Sequence, residues 1–239
     1  MNRNLFGRGV AVLAVSVALG VLPLLGAEQA YLAPGRLDPV ELLAPPPMPG
    51  SPEQAADMAE VEAAHKAITP EQVAIVKSEI KFSVFSFAPE IGEFFQPTNL
   101  PKTAALFTRV QQDMKAVTDE GKNHWKRPRP FVANPALTPI DPDKTYSYPS
   151  GHSTRGTVYS LLLAELFPDK REAILGEGRD VGWHRVLGAS HYPTDIYAGR
   201  VLGRAIVREL KASPEFQKDW VEVKAEVEAV RKKETANAR

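Results

Sequence analysis

Helix starts recur along this chain, and they constrain its fold more than any other feature. Ser51-Pro52-Glu53-Gln54 and Thr69-Pro70-Glu71-Gln72 each place a hydroxyl at the N-cap, proline at the first helical position and glutamine at the third. Ser213-Pro214-Glu215 repeats the hydroxyl–proline start, and Pro101 opens a further segment. Behind each start the apolar residues fall at helical spacing. The first segment, to about Lys66, carries Ala55, Met58, Val61/Glu62 and His65 on one face, with His65 read as a partly buried helix histidine. The second runs through Val73, Val76 and Ile80 into Val84-Phe85; Pro89 ends it, and a short helix is expected over 90–95. From Pro101 to about Trp125 the pattern is Ala104, Leu106/Phe107, Val110, Met114 and Val117. Residues 157–167 are apolar enough for a buried helix. Over 169–187, Ile174, Val181 and Val186/Leu187 should turn inward. The next helix carries Ile196, Ala198/Gly199, Leu202, Ala205/Ile206 and Leu210. The last fades into Arg231-Lys232-Lys233-Glu234. No stretch alternates in the manner of a strand. The expected fold is all-α, a single-domain helical bundle.

Three other segments are not helical. Residues 128–149 contain Pro128, Pro130, Pro135, Pro139, Pro142 and Pro149 and must be loop. A loop this long in a compact domain usually carries function or moves. Residues 28–50 form an arm ending in Leu42-Leu43-Ala44-Pro45-Pro46-Pro47-Met48-Pro49-Gly50, stiffened by its three consecutive prolines. It is either a linker or a strap across the domain surface, the latter suggested by Tyr31, Leu42 and Leu43. Residues 1–27 read as a secretory signal peptide, with Arg3 and Arg8 before an apolar run from Val10 to about Gly26. Cleavage after Ala27 fits, although Leu25 is large for its position. The alternative, an uncleaved anchor, is opposed by the short run and by Pro23. The expected organisation is therefore 1–27 signal peptide, 28–50 arm and 51–239 helical domain, with the mature protein periplasmic or secreted and holding no stable membrane association. The formal net charge is zero over 239 residues, which implies no nucleic-acid partner. The absence of cysteine excludes disulfides, thiolate metal sites and a cysteine nucleophile.

Three clusters carry chemistry. The first is Lys122, six residues, then Arg129-Pro130. The second is Tyr148-Pro149-Ser150-Gly151-His152, at the start of the buried helix. The third is Arg185, five residues, His191, three residues, Asp195. Each has a bland reading taken singly: a solvated basic stretch, a capped helix, a local cap. A helix start offers free N–H groups and a partial positive charge, so it receives anions. Ser150 suits the N-cap, and Gly151 lets backbone approach a ligand closely.

In this order and spacing the clusters resemble the signature of the phosphatidic acid phosphatase type 2 superfamily, which also contains vanadium haloperoxidases. Within it the chain is most similar to the class A bacterial non-specific acid phosphatases. His124-Trp125, Tyr148 and the 42–51 arm extend the likeness, which covers about residues 31–225. Departures are His184 where the family has serine, Tyr146 where class A has glycine, and Ser153 where it has threonine. His184 is expected to point away from the site, the alternative being a third imidazole that tunes phosphate binding.

The resemblance implies an acid phosphatase acting on small phosphomonoesters; no cofactor is expected, and no metal, because no ligand spacing such as His-x-x-x-His occurs in the chain. It implies His191 as a nucleophile forming phosphohistidine, oriented by Asp195, with His152 as the acid that protonates the leaving oxygen. Lys122, Arg129 and Arg185 supply fixed cations, and Ser150 Oγ with the N–H groups at Gly151 and His152 completes the cradle. The cations should lower the pKa of His152, and Asp195 should raise that of His191. A vanadate-dependent haloperoxidase and a phosphate-binding protein without turnover are the alternatives. A homo-oligomer is left open.

Overall fold

The protein's structure, a computed structural model, describes residues 30–237. Those residues form ten α-helices joined by turns and three short 3-10 segments, with no strand among them. In chain order the helices are α1 (Pro39–Leu42), α2 (Pro52–Lys66), α3 (Pro70–Ser78), α4 (Ala88–Ile91), α5 (Pro101–Trp125), α6 (Pro130–Ala133), α7 (Gly151–Leu166), α8 (Arg171–Leu187), α9 (Pro193–Ala212) and α10 (Pro214–Asn237). The signal-peptide segment lies outside the described residues.

The starts behave as their residue types dictate. Ser51 Oγ accepts the Gln54 N–H at 3.1 Å, and at Thr69 a full capping box closes, with Gln72 returning to the Thr69 N–H at 2.9 Å. Gln54 does not return to its cap; its Oε1 accepts instead from Arg127. The second expected helix is broken up: α3 ends at Ser78, and 3-10 turns cover Glu79–Lys81 and Val84–Phe87. Pro89 stands in the first turn of α4, where its missing N–H is harmless, so it helps start that helix and does not end the region before it. Within 128–149 the chain is irregular apart from the single turn of α6.

α7 is the central helix. Its apolar body is covered by α8 and α9, and α5 and α10 close the far side of the main core. The three inner helices approach closely because glycines face each other. A Cβ on Gly178 would lie 2.3 Å from Ser160 Oγ, and one on Gly199 would lie 2.7 Å from the Ser150 carbonyl. The inward residues foreseen on α8 and α9 are buried, among them Ile174, Val181, Leu202, Ile206 and Leu210. The arm is a strap. Tyr31, Leu32, Leu37 and Leu43 are in the main core, and the Tyr31 and Leu32 N–H groups both bond to Asp113 Oδ2.

Candidate active site

The C-terminal end of α5, the N-terminus of α7 and the turn from α8 into α9 meet around a cavity of about 230 Å³. Lys122, Arg129, Gly151, His152 and His191 all line it. Three pieces of sequence, separated by up to 69 positions from Lys122 to His191, therefore share one wall.

Lys122 sits in the last turn of α5 and is buried. Its ammonium donates to the Tyr146 carbonyl, and Thr145 Oγ1 stands 3.4 Å away. Burial, reinforced by the Arg129 cation, draws it down to about 8, so it remains charged in acid. Past α5, Lys126 takes a left-handed conformation and releases the chain toward Arg127 and Arg129. Arg129 donates through Nη1 to the Ser190 carbonyl at 2.9 Å and through Nη2 to Asp143 Oδ2 at 2.8 Å. The same Nη1 lies 3.1 Å from His191 Nε2.

His191 and Asp195 form a tightly held pair. Asp195 Oδ2 lies 3.2 Å from His191 Nδ1 and accepts the Tyr192 N–H at 2.9 Å and the Ser147 hydroxyl at 2.5 Å. Burial opposes its ionisation, but hydrogen bonds from His191 and Ser147 and the charge of Arg127 hold the carboxyl down at about 2. An ionised carboxylate only accepts, so the proton of neutral His191 is on Nδ1. Its Nε2 lone pair then faces the cavity side, where Arg129 stands. Arg127 locks Asp195 from behind: Nη1 donates to Asp195 Oδ1 at 2.6 Å and Nη2 to Asp57 Oδ2 at 2.7 Å.

The expectation that Asp195 would raise the pKa of His191 is corrected. Burial and the Arg129 charge outweigh the carboxylate and bring the imidazole down to about 3. His152 moves the same way, pushed well down by burial and then by Arg155, Arg185 and His191. Its Nε2 faces the Glu79 carbonyl at 3.1 Å, which can only accept, so Nδ1 is the acceptor in the neutral ring.

Two expected anion ligands are placed differently. Ser150 Oγ accepts the Ser153 N–H at 3.3 Å as the N-cap of α7 and is absent from the cavity wall, while Gly151 is on it. The hydroxyl is occupied in satisfying the helix end. Arg185 is fully buried behind the wall, with Nη2 donating to Glu79 Oε2 at 2.6 Å and to the Val76 carbonyl at 3.0 Å. Its Nε and Nη1 are buried without an acceptor. His184 does not enter the cavity; its Nδ1 lies 2.6 Å from Glu79 Oε1, so it reaches Arg185 only through that carboxylate.

Sequence reasoning missed Glu79, Asp57 and Ser147, and it gave Arg127 no role in the site. Glu79 is 106 positions from Arg185, and no local pattern marks such a partner. Among the described residues, no group of three or more His, Cys, Asp or Glu side chains is arranged to hold a metal ion.

The PAP2 superfamily pattern matches residues 104–218, which contain all three clusters. The chain is 32% identical over 203 residues to an acid phosphatase of Zymomonas mobilis, covering 81% of this chain and 77% of that one. It is 31% identical over 147 residues to a non-specific acid phosphatase of Salmonella typhimurium, 59% of each chain. Among solved structures it is similar to a transmembrane PAP2 type phosphatidylglycerolphosphate phosphatase from Bacillus subtilis, with TM-score 0.48 and 20% identity over 68% of this chain and 86% of that one.

Proposed function

This chain belongs to the PAP2 superfamily, and we propose that it is an acid phosphatase that hydrolyses small phosphomonoesters through a phosphohistidine on His191. One observation carries the reading: the Nε2 lone pair of His191, its Nδ1 proton held by Asp195, stands 3.1 Å from Arg129 on the wall of a cavity that His152 and Lys122 share. A nucleophile, an anion-binding cation and a proton donor converge on a space large enough for a phosphate and part of its alcohol.

His191 Nε2 bonds to phosphorus, the bond from phosphorus to the ester oxygen breaks, and His152 gives that oxygen its proton. A water then attacks the phosphohistidine, His152 takes a proton from it, and inorganic phosphate leaves with Nε2 free again. Lys122 and Arg129 stabilise charge on the equatorial oxygens, and Arg185 adds positive charge from behind the wall. A bound phosphate dianion raises the pKa of His152 against the surrounding cations, which charges it for the first step. With charge neutralisation met by side chains, the reaction requires no metal. The relatives named as acid phosphatases support hydrolysis over halide oxidation. The apolar leader supports export, and among the described residues no helix is long and apolar enough to cross a membrane.

The test is rapid quenching with radiolabelled phenyl phosphate. Wild type should yield an acid-labile, base-stable phosphoenzyme and keep full turnover in EDTA, and His191→Ala should yield neither adduct nor product. Label still trapped on His191→Ala would overturn the assignment. Lys122→Ala, Arg129→Ala and Arg185→Ala should each lower kcat/KM by about ten- to a hundred-fold or more, since the first two remove a charge-assisted contact and the third removes positive charge behind the wall and leaves Glu79 unpaired.

A further inference from the structure

Arg155 is the one cation on the cavity wall beyond the signature residues that is also partly buried. It follows His152 by three positions on α7, so both side chains project from the same helix face. Its contacts among the described residues are weak and uncharged: Nε to the Gly151 carbonyl at 3.4 Å, Nη1 to the Phe82 carbonyl at 3.3 Å, and Nη2 to His152 Nδ1 at 3.3 Å. No carboxylate pairs with it; Asp141 and Asp143 act on it only at longer range. The other arginines here have carboxylate partners, Arg129 with Asp143 and Arg185 with Glu79. A partly buried guanidinium with no carboxylate partner loses hydration without a counter-charge, and an anion in the cavity would supply one.

Its position says which anion. In-line transfer puts the nucleophile and the leaving oxygen on opposite sides of phosphorus. With His191 attacking, the leaving group lies toward His152, and Arg155 touches that ring from the cavity side. We propose that Arg155 is a subsite for a second anionic group carried by the leaving group, so that the enzyme favours phosphoanhydrides and bisphosphates over monoesters of neutral alcohols. The inference rests on the phosphohydrolase reading of the cavity. For pyrophosphate, the bridging P–O bond breaks as the bond to His191 Nε2 forms. The departing phosphate takes the His152 proton and rests on Arg155.

Steady-state kinetics with pyrophosphate and phenyl phosphate separate the two readings. Wild type should hydrolyse both. Arg155→Gln should lower the pyrophosphate to phenyl phosphate ratio of kcat/KM at least ten-fold, and Arg155→Lys, which keeps the charge, should restore most of that ratio. A ratio that stays constant in Arg155→Gln overturns this inference, whatever happens to the absolute rates. Loss of both activities in wild type would instead sink the phosphatase reading. A measurement on wild type alone guards against misfolded variants: methylenediphosphonate should inhibit phenyl phosphate turnover at least ten-fold more tightly than methylphosphonate. Equal inhibition would also overturn the subsite.

Discussion

His191 is held neutral by its surroundings, and this has a consequence for stability as well as chemistry. Its pKa is about 3 when folded, against an ordinary value of 6.5. Between those values the unfolded chain binds a proton that the folded chain refuses, so stability present above about pH 6.5 is lost as the pH falls toward 3. His152, pushed down as well, adds to the same slope, and Asp195 adds to it below its ordinary value of 3.8. The ligand-free protein should therefore show a Tm that declines steadily from pH 7 to pH 4. His191→Gln should flatten that decline, and saturating phosphate should oppose it by recharging His152. A Tm independent of pH over this range would contradict the burial assigned to both rings. Arg127 belongs to this scale too. It joins Asp57 to Asp195, and removing it would leave two buried carboxylates unpaired, a loss of about 3–5 kcal/mol.

At the level of elements, the site depends on where α7 and α9 begin relative to one another. The Ser150 N–H bonds to the Asp195 carbonyl at 3.1 Å, and Ser153 Oγ donates to the Ile196 carbonyl at 2.7 Å, so the two helix starts are stitched together. Gly199 makes the stitch fit. A Cβ there would meet the Ser150 carbonyl at 2.7 Å and Ser153 Cβ at 2.8 Å, both unable to yield without moving α9. Gly199→Ala should destabilise by about 1–3 kcal/mol, or roughly 2–12 °C in Tm for a chain of this size. It should lower kcat as well, because Asp195 moves with its helix. Gly176→Ala on α8 is the matched control. Its nearest neighbour is a flexible Arg179 nitrogen at 3.8 Å, so Tm should stay level or rise slightly. Equal losses in both variants would mean that the close approach at Gly199 does not set the effect.

Over the whole molecule, the N-terminal strap ties the far side of the bundle together. The Tyr31 ring meets Phe216 edge-on at 5.4 Å and lies under the Arg109 guanidinium at 3.8 Å, and its hydroxyl donates to Asp219 at 2.8 Å. One residue thus links the strap to α5 and α10. Further along, the Tyr148 hydroxyl donates to the Ala44 carbonyl, connecting the strap to the segment that leads into α7. Tyr31→Ala should lower stability by about 3 kcal/mol or more, on the order of 6–12 °C in Tm. An unchanged melting curve would make the strap a passenger on the bundle.

How much of this was legible in the chain follows from the range of each interaction. Helix identity was, because capping hydroxyls, first-turn prolines and 3.6-residue periodicity act within a few positions; the failures, at Ile80 and Pro89, fall beyond the end of α3, where 3-10 turns and the short α4 take over. The residues that line the cavity were also legible, because Lys122, Arg129, His152 and His191 each stand in a short recognisable pattern. What Ser150 and Arg185 do with their polar atoms was not, since a cap and a distant Glu79 decide it. Nor was the protonation of His191. Its sequence neighbour Asp195 argues for a raised pKa, and only the folded protein supplies the burial and the Arg129 charge that reverse the sign. The counter-charges of a site are chosen by three-dimensional proximity, and local sequence carries no record of them.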